Sequence, residues 1–346
     1  MLQDSVVPPR LLLRLPRAQP TDLILIAVAF FWGSSFLVTK IVLERVSIGA
    51  TLGLRFLIAA TVLAVIVLLR RERVFTVANL ASGAVIAVIV GTVMALETAG
   101  VSVTSATNAG LIISLAIIFT PLFDSLWNRS WLPGGYFLCS AAAVVGVGLL
   151  ITQGGAYLPR AGDLVILAAA LVRGFGTTVI ARLTRSQSSS PLSLTFVQLA
   201  VMGFVFTAAD LSGVRDAVAT IGWTDWAALA YLAVACSVFA FLAQTWAIKK
   251  TSASRASLLL GSEPVWAVLV GVAIGGDALG MLGFVGAAVI IVATYVGQGI
   301  EARHRGRAEV PAGGASGGPA GGPAGSAAGN AAGGAPVPAG SPHITG

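Results

Sequence analysis

Residues 22–40, DLILIAVAFFWGSSFLVTK, align without a gap on residues 163–181, DLVILAAALVRGFGTTVIA. The register continues further along: 104–112, TSATNAGLI, falls on 251–259, TSASRASLL, and 142–154, AAVVGVGLLITQG, on 287–299, AAVIIVATYVGQG. The offsets agree within a few residues, so the chain is two copies of one unit. Each copy is a series of apolar runs long enough to cross a bilayer, for which about 20 residues suffice. The runs fall at 22–43, 48–69, 77–98, 104–126 and 134–152, then at 163–182, 191–210, 225–247, 253–275 and 280–299. Five spans per copy is an odd number, so the second copy enters the membrane from the opposite side. The expected fold is therefore an all-α integral membrane protein of ten transmembrane helices, built as two inverted five-helix repeats.

Composition supports a bilayer environment. Of 346 residues, 56% are hydrophobic and only 10% charged, with a mean hydropathy of +0.91. Soluble domains carry roughly 25% charge. The apolar runs are continuous rather than alternating, which excludes a β-barrel. A net charge of +7 does not point to nucleic acid, because the bases cluster at the ends of the apolar runs. Arg10, Arg14 and Arg17, then Arg70, Arg71 and Arg73, Arg129, Arg182 and Arg185, Lys249 and Lys250, and Arg303, Arg305 and Arg307 share one side. The other side holds Arg45, Arg160 and Arg215, with Lys40 near the end of the first span. This asymmetry places both termini in the cytoplasm of a multi-pass protein of the cell membrane.

The order along the chain is a basic N-terminal segment (1–21), a first repeat (22–152), a second repeat (163–299) and a Gly/Ala/Pro-rich tail (300–346). No small-residue cleavage site closes the first run, so it reads as a retained helix rather than a signal peptide. The tail's composition cannot bury enough apolar surface to offset its ordering entropy, and it is expected to be disordered. Cys139 and Cys236 both lie inside apolar runs and read as packing residues, with no disulfide, metal site or cofactor expected.

The second repeat holds an acid followed by a proline, Glu263-Pro264, partway along its fourth span. An ionised carboxylate in hydrocarbon costs at least about 2.5 kcal/mol, so such an acid faces a bundle interior or a wet cavity. Proline frees the carbonyl of Leu260, and the helix is expected to bend there. A buried acid beside a packing kink is the alternative reading. Arg173 lies at a similar depth in the sixth span, and two opposite charges in one bundle are more economical as neighbours. They are expected to face one cavity, either as a permanent ion pair or with Arg173 free to attract a substrate carboxylate.

Trp32 holds the place of Arg173 in the first repeat and is followed by Gly33, Ser34 and Ser35, so an aromatic wall with hydroxyls is a candidate solute surface, beside the packing role of small residues. Arg55 and Glu97 are a further candidate pair, in an outward vestibule. Asn108 and Arg255 occupy matching places and are candidate gates on opposite faces. Gln198, Gln244, Trp246 and Trp266 complete the candidate solute-binding set. Glu263, Pro264, Arg255 and Glu97 are the candidates for coupling or gating. Small-xxx-small pairs, Gly49 with Gly53 and Gly271 with Gly275, serve packing within a monomer or a homodimer equally well.

FWGSSFLVTK (31–40), LGLRFLIAA (52–60) and TSASRASLLLGSEPVWAVL (251–269), in that order and within tandem halves, resemble the EamA-type transporters of the drug/metabolite transporter superfamily. The resemblance covers almost everything from Asp22 to Gly299. It implies secondary transport of a small metabolite, an amino acid or drug-like solute, by export or import and without ATP, and export is the expected direction here. The family's Gly-Glu pair is replaced here by Gly276-Asp277 in the second half and by Asn128-Arg129 in the first. An enzyme is disfavoured because both histidines, His304 and His343, lie outside the spans and no Walker A motif is present. A channel suits scattered single charges poorly. An uncoupled facilitator or exchanger and a non-transporting receptor or scaffold are the remaining alternatives. Single cysteines introduced at Arg160 and at Arg182 are expected to react with an impermeant maleimide from opposite sides of sealed vesicles; labelling from one side would break the inverted arrangement.

Overall fold

A computed structural model describes residues 20–72, 74–129, 131–152, 160–185, 190–250 and 259–308, which are helical and contain no strand. Arg255 and the N-terminal and tail segments at 1–19 and 309–346 lie outside them. The first repeat comprises α1 (Pro20–Leu43), α2 (Ile48–Arg70), α3 (Val77–Val101), α4 (Ala106–Ile113), α5 (Ala116–Asn128) and α6 (Gly134–Thr152). The second comprises α7 (Ala161–Arg185), α8 (Pro191–Ala209), α9 (Leu211–Thr220), α10 (Trp223–Ala233), a π-helical turn (Val234–Phe239), α11 (Ala240–Lys250), α12 (Glu263–Ala273) and α13 (Met281–Ala308). Eight helical stretches are long and apolar enough to cross a membrane, with α4–α5 and α10–α11 each counted once. The shorter apolar helices Gly134–Leu150 and Glu263–Ala273 bring the described spans to ten.

Helices α2, α3 and α4 start where a small hydroxyl replaces a missing helical acceptor. The side chains of Ser47, Thr76 and Ser105 accept from the amides of Ala50, Asn79 and Asn108. This satisfies first-turn donors that would otherwise be orphaned. Three features were not anticipated from the apolar runs. The fourth span breaks at Ser114–Leu115, a short helix α9 lies between the seventh and eighth spans, and the eighth span contains the π-helical turn. In addition, α13 continues to Ala308, beyond the boundary expected at residue 299.

The packing follows a pseudo-two-fold relation between the repeats. Helix α2 packs along its own counterpart, α8. The packing of α3 on α7 recurs as that of α1 on α10, the π-turn and α11. The packing of α1 on α12 recurs as that of α7 on α5. Single residues confirm the correspondence. A methyl group on Gly33 would stand 2.8 Å from the Cβ of Trp266 and from the amide of Ala267. On Gly174, which aligns with Gly33, it would stand 2.7 Å from the Cβ of Phe119, with the amide of Thr120 at 3.2 Å. Phe119 and Thr120 are in turn the repeat-mates of Trp266 and Ala267.

The breaks obey the same relation. Helices α5 and α12 begin at Ala116 and Glu263, which stand equally far after the aligned Thr104 and Thr251. Before α12 the chain turns at Gly261 and Ser262, whose hydroxyl bonds back to the carbonyl of Leu259 at 2.7 Å. Pro264 occupies the first turn of α12, where its missing N–H removes no helical bond.

The helix ends at one face are joined by polar contacts. Lys40 donates to the carbonyl of Thr104 (2.9 Å), and the Thr104 hydroxyl and the Asn108 amide donate to Asp163 (2.5 and 3.4 Å). Asp277 accepts from the amide of Thr107 (2.9 Å), and Arg45 pairs with Asp225 (3.2 Å). Ser47 donates to Asp210, and that bond, with others from the Gly213 and Ala50 amides, holds the Asp210 carboxyl below its usual range.

The broken spans cross where side chains are smallest. A methyl group on Gly110 of α4 would overlap the Cβ of Ala267 in α12 at 2.1 Å. Interiors this close absorb an added methylene only through backbone shifts costing about 1–3 kcal/mol. Gly110→Val is accordingly expected to lower the melting temperature in detergent by several degrees, whereas Gly148→Ala, with no atom within 4 Å of the added carbon, is expected to leave it unchanged.

Candidate functional site

Four spans converge on one cation. Arg173 of α7 approaches Glu263 at the start of α12 (Nη2 to Oε2, 3.3 Å) and Glu97 near the end of α3 (Nη1 to Oε1, 3.6 Å). Its guanidinium lies over the ring of Trp32 in α1, 5.6 Å from the centroid. Glu97 and Glu263 are buried, and the Arg173 side chain is 28% exposed. Glu263 makes a charge-assisted hydrogen bond to Arg173, whereas the Oε1 of Glu97 has no hydrogen-bond partner. One guanidinium thus serves two carboxylates, the second of them loosely.

The inversion of the repeats builds this arrangement. Trp32 and Arg173 are repeat-mates on α1 and α7, and their side chains meet, the guanidinium over the indole. The break before Glu263 puts the carboxylate at a helix N-terminus, where unpaired amides favour negative charge. Discontinuous spans of this kind carry the binding sites of many secondary transporters.

A second group of contacts lies around the π-helical turn. Trp32 donates its Nε1 to the carbonyl of Cys236 (3.2 Å), and the edges of Trp32 and Phe241 meet with centroids 5.9 Å apart. Arg55 of α2 donates its Nε to the hydroxyl of Ser237 (3.0 Å), which in turn donates to the carbonyl of Leu232 (2.9 Å). The Ser34 hydroxyl and the Tyr231 phenol share a hydrogen bond of 2.6 Å. A π-turn misaligns the backbone ladder and presents carbonyls that a regular helix would keep occupied. Tyr231, Cys236 and Ser237 therefore organise the region. They were missed in the sequence, where Cys236 read as packing and the available signal was a single Cys236-Ser237 pair inside a span.

The candidate residues are distributed unevenly. Trp32, Glu97, Arg173 and Glu263 meet. Arg55 does not pair with Glu97 as expected, since Glu97 turns to Arg173 and Arg55 to Ser237. Ser35 bonds back to the carbonyl of Trp32 (2.7 Å). Trp266 packs edge-on against Phe30 at 5.4 Å, with its buried Nε1 unbonded. Asn108 sits at the helix-end face beside Asp163, away from the cluster. Gln198 is buried, and among the described residues its hydrogen-bond partner is the Met202 sulfur at 4.0 Å. Gln244 is half-buried, and Trp246 is 43% exposed rather than enclosed. Pro264 is buried beside Glu263. Among the described residues no three His, Cys, Asp or Glu side chains converge as metal ligands.

Removing one member of a buried ion pair leaves an uncompensated charge and costs about 3–5 kcal/mol. Arg173→Gln, which strands two carboxylates, is expected to lower the melting temperature more than Glu97→Gln. Differential scanning fluorimetry in detergent at neutral pH measures both.

Comparison with known proteins agrees with this architecture. The model of the EamA-like transporter family matches twice, at residues 19–152 and 160–296. The chain is 25% identical over 276 residues to the "Uncharacterized inner membrane transporter YedA" of Escherichia coli K12, covering 79% of this chain and 88% of that protein. It is 28% identical over 281 residues to an "Uncharacterized transporter" of Archaeoglobus fulgidus, covering 80% and 84% respectively. With the "Uncharacterized transporter YyaM" of Bacillus subtilis it shares 23% identity over 289 residues, covering 80% and 93%. One solved structure, titled "Crystal structure of protein", superposes with a TM-score of 0.54 at 16% identity, covering 84% of this chain and 98% of that one, which shows a shared fold. A tandem family match over two five-span repeats, with a buried ion cluster between them, makes this chain a multi-pass membrane protein that belongs to the EamA-like transporter family and moves a solute across the bilayer.

Proposed function

We propose that this protein is a secondary active transporter that exports a small metabolite, an amino acid or drug-like solute, across the cytoplasmic membrane by alternating access, with both termini in the cytoplasm. The observation that carries the reading is the meeting of the Arg173, Glu97 and Glu263 charges beside a broken span. Inverted repeats of this kind have two nearly equivalent packings, one open to each side, around a fixed central site. The names of the three relatives favour transport, and the export direction is part of the proposal.

Coupling is assigned to the acids on Arg173. Two carboxylates share one guanidinium, so a proton can bind one of them while the other keeps its ion pair. Loss of that proton to one side and gain from the other would link solute movement to the proton gradient. Glu263 is the acid whose charge is tied to the broken helix, by its position at the start of α12.

Vesicles test both parts. In proteoliposomes loaded with a mixture of labelled amino acids, export by the wild type is expected to accelerate when an inward proton gradient is imposed. Glu263→Gln is expected to reduce proton-driven flux at least about tenfold, a change of roughly 1.4 kcal/mol in barrier. Unchanged flux would remove Glu263 from the mechanism, and flux indifferent to the gradient would favour facilitated exchange.

A further inference from the structure

Arg55 and Arg173 both lie inside the bundle and differ in one respect. Arg173 has two carboxylates, at 3.3 and 3.6 Å. Arg55, 6% exposed, forms no ion pair among the described residues. Its one hydrogen bond there runs from Nε to Ser237, which leaves both terminal nitrogens of the guanidinium without an acceptor. A guanidinium stays charged under all ordinary conditions, so neutralising itself is not an option. A buried cation in a span requires an anion.

No neighbouring group among the described residues forms an ion pair with Arg55, although Glu97 is near enough to attract it through space. Glu97 stands on Arg173. The Cys236 thiol donates to the carbonyl of Phe31 at 3.2 Å and is therefore in its neutral form. The Ser237 hydroxyl donates to Leu232 and turns its lone pair to the Arg55 Nε, which fixes the guanidinium plane. Phe56 lies 5.4 Å from the same group and limits its tilt. A guanidinium held by Nε, with two terminal nitrogens unused, offers the forked geometry that carboxylates and phosphates accept in bidentate fashion.

We infer that Arg55 is the subsite for an oxyanion group, above all the carboxylate of the transported solute, and that Arg173 is kept as an internal counter-ion to Glu97 and Glu263. This rests on the transport reading and refines it. Arg173 makes a poor solute anchor because an incoming anion would have to displace a carboxylate from it. The π-helical turn is the positioning device, since Ser237 is the residue that orients Arg55.

The test uses the full chain purified in detergent, with three measurements. In ligand-free melts, Arg55→Gln is expected to unfold at or above the wild-type temperature, since it removes an unbalanced charge, while Arg173→Gln unfolds well below it. In titrations with the acid and amide pairs benzoate and benzamide, and L-phenylalanine and L-phenylalaninamide, only the acids are expected to raise the wild-type melting temperature. Arg55→Gln weakens that response about tenfold or more, Arg55→Lys and Ser237→Ala less, because charge without the fork or its holder remains. Phosphatidylglycerol, compared with phosphatidylcholine, separates the two sources of oxyanion: an Arg55-dependent shift with this lipid alone would assign the subsite to a headgroup and overturn the solute carboxylate.

Equal stabilisation by acids and amides, or an undiminished acid response in Arg55→Gln, would overturn the inference. Where no probe moves the melt, the ligand-free comparison decides, and an Arg55→Gln protein as unstable as Arg173→Gln overturns it. Counterflow of labelled benzoate or phenylalanine in proteoliposomes distinguishes the two readings. Arg55-dependent binding without counterflow would defeat the transport reading and leave the subsite standing. Counterflow that survives Arg55→Gln would do the reverse.

Discussion

The constraint on which the bundle depends is the cost of charge away from water. Arg173, Glu97 and Glu263 come from three different spans, and none is tolerable alone at that depth. Their attraction ties α3, α7 and α12 together at one point, with Trp32 of α1 closing the group from the side. A hydrophobic replacement of similar volume would hold the helices at least as well. The charges therefore add little net stability, and what they contribute is a centre that can change its partners.

Around that centre the helices touch through very small residues. Gly33 and Gly174 let α1 and α7 lie against α12 and α5 at equivalent points, and Gly110 lets the two broken spans cross. Without a hydrophobic drive between helices in lipid, such close packing supplies dispersion energy in its place. It also carries the inverted symmetry down to individual backbone atoms, so movement of one pair has a counterpart ready-made in the other.

Most of the fold was legible because it follows from length, hydropathy and internal repetition. Those signals are local or periodic, and they gave ten spans and their inversion. The neighbourhood of Arg173 and Glu263 was legible too, since equal depth in one bundle makes opposite charges neighbours. The partner of Glu97 was not. Depth along a helix says nothing of azimuth, and α3 turns this acid toward α7 rather than toward Arg55 on α2. The π-turn at Val234–Phe239 was equally hidden, because VACSVF holds no proline or glycine to mark it. For Trp246 the apolar run set its place along the helix but not how far it would be enclosed, and it stands 43% exposed.

The repeats share a backbone plan but not their chemistry. Where the second half has Arg173 and Glu263, the first has Trp32 and Ala116. A perfectly self-similar pair of halves would be energetically indifferent to which side it faced, like a balanced seesaw. With one arm weighted, the empty protein has a preferred rest position, and solute entering from that side meets a receptive carrier more often than solute from the other. Such a bias would show as unequal half-saturation constants on the two sides, offset by unequal maximal rates, so that net flux still vanishes once every gradient is collapsed.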